Sequence, residues 1–160
     1  NQLRLIIYYG EFHPVEGEAN IYSAVGDESE DYENLLNAAR KAVEHGYCVF
    51  ILPNPKGIRT ADFIFERKGV YKLYDLKTIM GRSSVSNRLL ESIGQANRVL
   101  LNMAVDYNPI ALARNVKSYF EKNPKAVEVL IFKGHKCISV LREDVQSKTF
   151  HKLFIAKYIK

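Results

Sequence analysis

The sequence predicts a single α/β domain in which helices flank a mixed central sheet. The chain has 160 residues, of which 47% are hydrophobic and 26% charged, so it can bury a core without the help of disulfides. Segments with helical spacing alternate along it with short β-prone apolar runs, and two of these runs are joined by a two-residue turn. This alternation is typical of sheets covered by helices.

Composition also narrows the class of protein. Lys and Arg outnumber Asp and Glu by 23 to 18, giving a formal net charge of +5 that favours polyanionic partners at low salt. The two cysteines, Cys48 and Cys137, lie in apolar segments and are expected to be small core residues, although a disulfide between them stays open. No apolar run reaches the length of about 18 residues that spans a bilayer, and nothing at the start is typical of a signal peptide.

The first third of the chain is predicted to hold an accessory strand, a helix and a buried strand. Residues 3–9 are β-prone and are followed by a loop over 10–18. Apolar residues at helical spacing predict a helix over 29–45, with an acidic start and Gly46 as its end. Residues 47–52 form an apolar strand that closes in a turn. The acidic start consists of Asp27, Glu28, Glu30 and Asp31, and the turn of Pro53, Asn54, Pro55 and Gly57.

A hairpin is predicted next, because the strand-like segments 61–67 and 70–79 are separated only by Lys68 and Gly69. A helix over 86–103 follows, with Ser86 as its N-cap and with one apolar stripe. A second helix begins at Pro109 and runs to Phe120, strands follow at 127–132 and 137–141, and a basic helix covers 142–158. The apolar stripe of the first of these helices consists of Leu89, Ile93, Ala96, Leu100 and Met103.

Three polar residues of the hairpin point to chemistry. Asp62 opens one arm, while Asp75 and Lys77 lie two residues apart on the other and therefore on one face of the sheet. Two carboxylates can hold a hard divalent cation, which polarises a phosphoryl oxygen and lowers the pKa of a bound water. A lysine beside them can orient that water and stabilise the charge that develops on the phosphate.

These residues resemble the motif of the PD-(D/E)xK nuclease superfamily. Its pattern, an acid at a strand edge and then Asp or Glu, any residue, and Lys on the next strand, is present as Asp62 and Asp75-Leu76-Lys77, although Ala61 stands where the usual Pro would be. The resemblance implies a restriction-endonuclease-like α-β-β-β-α-β core over about residues 29–132 and a divalent metal, Mg²⁺, Mn²⁺ or Zn²⁺. It divides the single domain into a lead-in at 1–28, that core, and a C-terminal strand and basic helix at 133–160.

The same resemblance suggests further site residues. Glu33 on the first helix, with Glu30 as the substitute, is expected to be a third metal-side acid beside Asp62 and Asp75. Gln95 is expected to face the site from the helix that follows Lys77. It shares a polar stripe with Arg88, Ser92 and Asn102, and a solvated helix face explains this stripe equally well. The residues expected to contact nucleic-acid phosphates are Arg88, Arg98, Lys148 and Lys152.

A narrower resemblance is to the C-terminal toxin domains of contact-dependent growth inhibition systems and related polymorphic bacterial toxins. It rests on the run from His45-Gly46 through Ile51-Leu52-Pro53 to Ala61-Asp62 and Asp75-Leu76-Lys77. It implies a nuclease, often one that cuts tRNA, carried by a secreted or cell-surface bacterial protein and active in the cytoplasm of the target cell. It also implies a cognate immunity protein as partner.

Three alternatives stay open at the level of sequence. A metal-independent ribonuclease would need His13 or His135 close to Lys77. A DNA endonuclease, or a non-catalytic nucleic-acid- or protein-binding module of the same fold, would keep the basic surface. Asp75 and Lys77 could also be exposed charges that protect an edge strand from aggregation.

Overall fold

A computed structural model of the chain describes residues 2–24, 31–53, 61–81 and 85–160. The chain forms two compact units, Asn1–Leu76 (the N-terminal unit) and Lys77–Lys160 (the C-terminal unit). Each unit contains helices together with parallel and antiparallel strand pairs. The predicted α/β class with a mixed sheet is therefore confirmed. Among the described residues no helix combines the length and the apolar character that crossing a bilayer requires.

The described residues of the N-terminal unit form two helices and the first five strands, in the strand order β1-β2-β3-β4-β5. The β2/β3 pair is parallel and the other neighbouring pairs are antiparallel. The elements are α1 (Gln2–Tyr9), β1 (His13–Pro14), β2 (Ile21–Ser23), α2 (Tyr32–Glu44), β3 (Cys48–Ile51), β4 (Phe63–Arg67) and β5 (Val70–Ile79), the last of which continues into the C-terminal unit.

One face of this sheet carries the core of the N-terminal unit. Strand side chains alternate between faces, and the register places Val49 opposite Phe65, and Phe63 opposite Tyr74, on the same face. Helix α2 packs against β2 and β3 through its apolar stripe. The Phe65 ring lies within 4.8–5.3 Å of three other aromatic centroids, and these belong to Tyr47, Phe63 and Tyr74.

The predicted hairpin is confirmed, because β4 and β5 pair antiparallel around Lys68 and Gly69. Both turn residues have positive φ, 53° and 78°, which is the geometry of the two-residue turn whose twist matches the flanking strands. The Gly69 amide also donates to the Glu66 carboxylate at 3.0 Å. Local sequence therefore sets the register that aligns Asp62 with the second arm.

In the C-terminal unit, residues 77–81 and 85–160 form the end of β5, three further strands and four helices, in the strand order β5-β6-β7-β8. The β6/β7 pair is parallel and the β7/β8 pair antiparallel. The elements are α3 (Val85–Glu91), β6 (Arg98–Met103), α4 (Pro109–Lys122), β7 (Glu128–Lys133), β8 (Lys136–Leu141), α5 (Arg142–Gln146) and α6 (Phe150–Ile159).

A single cluster of buried residues forms the core of the C-terminal unit, between its helices and one face of β6, β7 and β8. Helix α4 packs against α3 and α6, and its first turn is capped by the Asn108 side chain, which accepts from the Ala111 amide at 3.0 Å. The Arg142 guanidinium lies over the Phe120 ring and closes the other end of α4. It donates there to the carbonyl oxygens of Phe120, Asn123 and Ala126.

Three predicted elements are wrong. Residues 3–9 form the helix α1 rather than a strand, and a helix satisfies its own backbone hydrogen bonds where a strand needs a neighbour. The helix expected over 86–103 ends at Glu91, Gly94 adopts a φ of 91°, and the rest is β6, so Leu100, Asn102 and Met103 are strand residues. Ser86 is inside α3 rather than its cap, and the basic terminal helix is two helices, α5 and α6.

The element order α2-β3-β4-β5-α3-β6 nevertheless follows the expected α-β-β-β-α-β sequence, with β6 in place of the later strand assigned from sequence. Of the acidic start expected for the first helix, only Asp31 lies within the described residues, and it directly precedes α2. The expected turn residues Asn54, Pro55 and Gly57 lie outside them. The division of a single domain at residues 28 and 132 stays a prediction.

Candidate functional site

Two carboxylates meet on one face of the β4/β5 hairpin in the N-terminal unit. Asp62 directly precedes β4, and its backbone is held from both sides, because its amide donates to Tyr74 O at 3.0 Å and its carbonyl accepts from Leu52 N at 2.9 Å. The register that pairs Phe63 with Tyr74, continued by one residue, places Asp62 opposite Asp75. Opposite residues of an antiparallel pair project from the same face.

The Asp62 side chain is fixed against the second arm of the hairpin. Its Oδ2 accepts a hydrogen bond from the Leu76 amide at 2.7 Å, so the carboxylate lies beside the peptide that links Asp75 to Leu76. Asp75 itself is only 2% exposed. Burial of a carboxylate is unfavourable unless donors or a cation compensate it, so a buried acid beside a second, oriented acid is typical of a functional position.

The C-terminal unit begins with Lys77, which is 8% exposed. Its Nζ donates to Gln95 Oε1 at 3.4 Å, a long hydrogen bond. Gln95 lies in the turn after α3 rather than on the helix itself, so its expected position is corrected, and its role at the site stays a prediction. Because β5 is continuous, Asp75 and Lys77 are two residues apart on one strand and share its face.

Glu33, the acid that was expected to reach the metal from the first helix, does not lie on the buried side of this helix. Glu33 is exposed on α2, whereas the buried side of this helix is formed by Leu36, Ala38, Ala39 and Ala42. Its charge acts instead on Arg40, whose pKa is raised, mainly by its hydrogen bonds to Glu18 and to a smaller extent by Glu33. Its substitute, Glu30, lies outside the described residues. Within the described residues no group of three or more His, Cys, Asp or Glu side chains could hold a metal, and the expected metal stays a prediction.

The basic residues expected to bind nucleic acid have different surroundings. Arg98 Nη1 lies 2.8 Å from Oε1 of the buried Glu128, directly opposite on β7, so Arg98 has a structural partner. Arg88 lies 4.0 Å from the exposed Glu91 in the next turn of α3. Lys152 is exposed in the first turn of α6, and Lys148 is exposed just before this helix begins. The two lysines therefore stay available for phosphate contacts, and binding by any of the four stays a prediction.

The two histidines of the metal-independent alternative are both exposed, His13 in β1 and His135 in the turn between β7 and β8. The metal-independent alternative stays a prediction from the sequence.

Sequence reasoning missed one feature of this face. Tyr22 on β2 and Phe50 on β3 project from the face that carries Asp62 and Asp75, and both are half-exposed. The alternation of side chains along β2 and β3 is the signal that could have distinguished Tyr22 and Phe50 from their buried neighbours. The sequence does not show that β2 pairs with β3, because the two strands are separated in the chain by α2 and pair only through tertiary contacts.

The sequence matches no protein-family model and no curated protein. A solved structure does share the fold. It is the "CdiA-CT/CdiI toxin and immunity complex from Burkholderia pseudomallei". The match has a TM-score of 0.50 and 19% sequence identity, and it covers 73% of this chain and 90% of the matched chain.

At 19% identity this likeness is one of fold. It confirms, at that level, the expected resemblance to toxin domains of contact-dependent growth inhibition systems. Membership of the PD-(D/E)xK superfamily stays a prediction.

Proposed function

We propose that this chain is a nuclease toxin domain that hydrolyses phosphodiester bonds with the help of a divalent metal, and that tRNA is its substrate. One observation carries the proposal: the Asp62 carboxylate accepts a hydrogen bond from the Leu76 amide, next to the buried Asp75. Two neighbouring carboxylates supply the oxygen ligands that metal-assisted phosphoryl transfer needs.

The donor set suits a hard cation. Asp62 Oδ2 accepts a hydrogen bond from the Leu76 amide, which orients the carboxylate. Together with Asp75 it offers carboxylate oxygens, which Mg²⁺ and Mn²⁺ prefer, while Zn²⁺ also accepts them. A bound metal would polarise the phosphoryl oxygen and lower the pKa of a water. Two protein carboxylates are a usual number for Mg²⁺ at phosphate sites, where substrate and water complete the shell.

The other residues act on the substrate and on protons. The Lys77 ammonium stabilises negative charge that develops on the phosphate and orients the attacking water through an N–H donor. Gln95 restricts the rotamers of Lys77 by accepting one of its hydrogen bonds, so Gln95 is a positioning residue. The backbone of Asp62 is hydrogen-bonded to the strands on both sides. The Asp62 carboxylate therefore moves little during the reaction.

The biological setting is proposed from the fold. The matched structure is a complex of a toxin with its immunity protein. We extend this to a toxin that belongs to a secreted or cell-surface bacterial protein, acts in the cytoplasm of the target cell and is neutralised by a cognate immunity protein. The net charge of +5 supports a polyanionic substrate, and tRNA is preferred over DNA through the toxin resemblance.

The test is cleavage of total tRNA and of plasmid DNA by the purified chain, each with Mg²⁺, Mn²⁺, Zn²⁺ or EDTA. Asp75→Asn and Lys77→Met should each lower the rate by about 100-fold or more, the size of effect seen when one transition-state-stabilising group is lost. The matched controls are Asp106→Asn, at a carboxylate that is 91% exposed, and Lys122→Met, at an exposed lysine of α4. Both should keep the wild-type rate.

Three results would contradict parts of the proposal. Cleavage that persists in EDTA would favour the metal-independent alternative. Cutting of plasmid alone would replace tRNA by DNA. Full activity of Asp75→Asn in a folded protein would remove the site.

A further inference from the structure

The strand β8 forms one edge of the sheet in the C-terminal unit. It pairs with β7 on one side, and within the parts of the chain that the structure describes no strand runs along its other side. An edge strand turns half of its backbone N–H and C=O groups away from its neighbour, where a further strand can pair with them. β8 has six residues and no proline, so its sequence does not prevent such pairing.

A groove of about 150 Å³ opens along this edge, between β8 and α6. The strand lines it with residues from both of its faces, Ile138 and Val140 on one and the exposed Ser139 on the other, so the groove follows the edge itself. Helix α6 lines the other side with four residues at the spacing of one helical stripe. These residues are Phe150, Leu153, Phe154 and Lys157.

Leu153 is the apolar residue of this stripe that remains in water. It is 55% exposed, whereas Phe150 and Phe154 are 4% and 3% exposed and belong to the core. An exposed leucine beside an apolar groove is typical of an interaction surface. A second copy of this surface, turned by 180°, would supply both a side chain for the groove and a groove for the side chain.

The charges at the two ends of the groove have opposite signs. The start of β8 lies beside the end of α6, because Lys136 Nζ donates to Tyr158 O at 2.8 Å. Lys157 therefore lies where β8 begins, while Glu143 lies at the other end, in α5 directly after β8. Both side chains are exposed. A two-fold axis through the middle of the groove would bring Lys157 of each copy towards Glu143 of the other, whereas parallel copies would align like charges.

We propose that β8 and α6 form the interface of a homodimer, in which the β8 strands of two copies pair antiparallel about a two-fold axis. The same surface then meets itself, both α6 helices lie on one side of the joined sheet, and Leu153 of each copy packs against the groove of the other. A second copy is favoured over an unrelated strand because this chain itself supplies the sheet edge, the exposed leucine and the reversed charges. The inference goes beyond the proposed function and does not depend on it.

Sedimentation equilibrium of the full chain, over about 5–500 µM, tests the dimer. One strand and one helix per copy make a small interface, so we expect a dissociation constant of about 10–100 µM. Leu153→Glu should raise it by about tenfold or more, because a carboxylate would enter an apolar contact. Ile110→Glu, at an isoleucine of α4 that is 51% exposed, is the matched control and should dimerise as wild type. A chain that stays monomeric over the whole range overturns the proposal, and the groove then belongs to a different partner.

Charge reversal tests how the two copies are arranged. Glu143→Lys and Lys157→Glu should each raise the dissociation constant by about fivefold, because each opposes like charges twice in a symmetric dimer. The double variant Glu143→Lys/Lys157→Glu restores both pairs and should dimerise like the wild type. Glu121→Lys, at an exposed glutamate of α4, is the matched control. A double variant that is weaker than either single one overturns the two-fold arrangement.

Hydrogen exchange of the unaltered protein covers the case in which a variant does not fold. The amides of β8 should exchange about threefold more slowly or less at about 300 µM than at about 5 µM, because pairing protects them, while the amides of α1 exchange equally at both concentrations. Equal exchange of the β8 amides in a chain that sediments as a dimer overturns the strand pairing and places the interface elsewhere.

Discussion

Arg98 was expected from sequence to bind nucleic acid, and its surroundings predict instead that Arg98→Met destabilises the fold. Its guanidinium lies 2.8 Å from Oε1 of Glu128, whose side chain is 3% exposed, and the Ser139 hydroxyl donates to the other oxygen of Glu128. Methionine fills a similar volume without the charge. The change would leave a buried carboxylate with a hydroxyl donor and without its cation.

The size of the effect follows from burial. Removal of one partner from a fully buried ion pair costs about 3–5 kcal/mol. Arg98 is 25% exposed, so water screens part of its interaction, and Ser139 continues to solvate the carboxylate. We therefore expect a loss of about 2–3 kcal/mol of the free energy of unfolding. A Glu128→Gln change in the Arg98→Met background should recover about 1 kcal/mol, because a neutral amide is less costly to bury.

The loss of unfolding free energy is measured by urea denaturation, with circular dichroism as the readout. With a slope of about 2 kcal/mol per molar urea, the midpoint of Arg98→Met should fall by about 1 M while the slope stays constant. Arg114→Met, at an exposed arginine of α4, is the matched control and should shift the free energy by less than about 0.5 kcal/mol.

A competing result would refute the reasoning. If Arg98 serves mainly as a phosphate ligand, Arg98→Met should leave the midpoint unchanged and reduce the salt dependence of nucleic-acid binding by about one unit of slope. A midpoint within 0.3 M of the wild type, roughly 0.6 kcal/mol at the slope above, would show that Glu128 does not depend on its cation.

Three further predictions concern stability and reactivity. Arg142→Met removes the donor to three carbonyls at the end of α4 and should cost about 2–3 kcal/mol in urea denaturation, and a loss below 1 kcal/mol would indicate that water replaces it. Asn108→Ala removes the cap of α4 and should cost about 1 kcal/mol, whereas Asn108→Gly should cost only a few tenths, and equal losses would argue against the cap. Burial, with a smaller contribution from Glu66, raises the pKa of the Cys48 thiol, so its alkylation should rise at higher pH in the folded than in the unfolded chain. Because the folded pKa is the higher one, stability from this thiol is lost as pH rises above the unfolded value, and alkylation profiles that coincide would contradict the shift.

Local sequence was enough for the parts of the site that lie within one hairpin. Lys68 and Gly69 adopt the positive φ values of a two-residue turn, and this short connection fixes the register between β4 and β5. The alternation of strand side chains then places Asp75 and Lys77 on one face. The start of α4 was equally local, since Pro109 fits the first helical position.

Local sequence did not predict whether a segment is a helix or a strand where that choice depends on partners far along the chain. Leu89, Leu100 and Met103 fit a helical stripe, yet residues 98–103 form β6, because they pair in parallel with β7 some 30 residues later and are nearly all buried. A contiguous apolar run after Gly94 was the signal that favoured a strand. Residues 3–9 have strand propensity, but they form α1, which has no buried residue.

What the sequence by itself determined is the hairpin with its two acids and lysine, because turn geometry and side-chain alternation act over a few residues. Only the tertiary structure decided that Glu33 faces solvent, that Arg98 pairs with Glu128, and that Tyr22 stacks on Phe50. Each of these depends on which distant strand or helix lies alongside. That choice is made by burial of the whole apolar surface and not by the preference of any one segment.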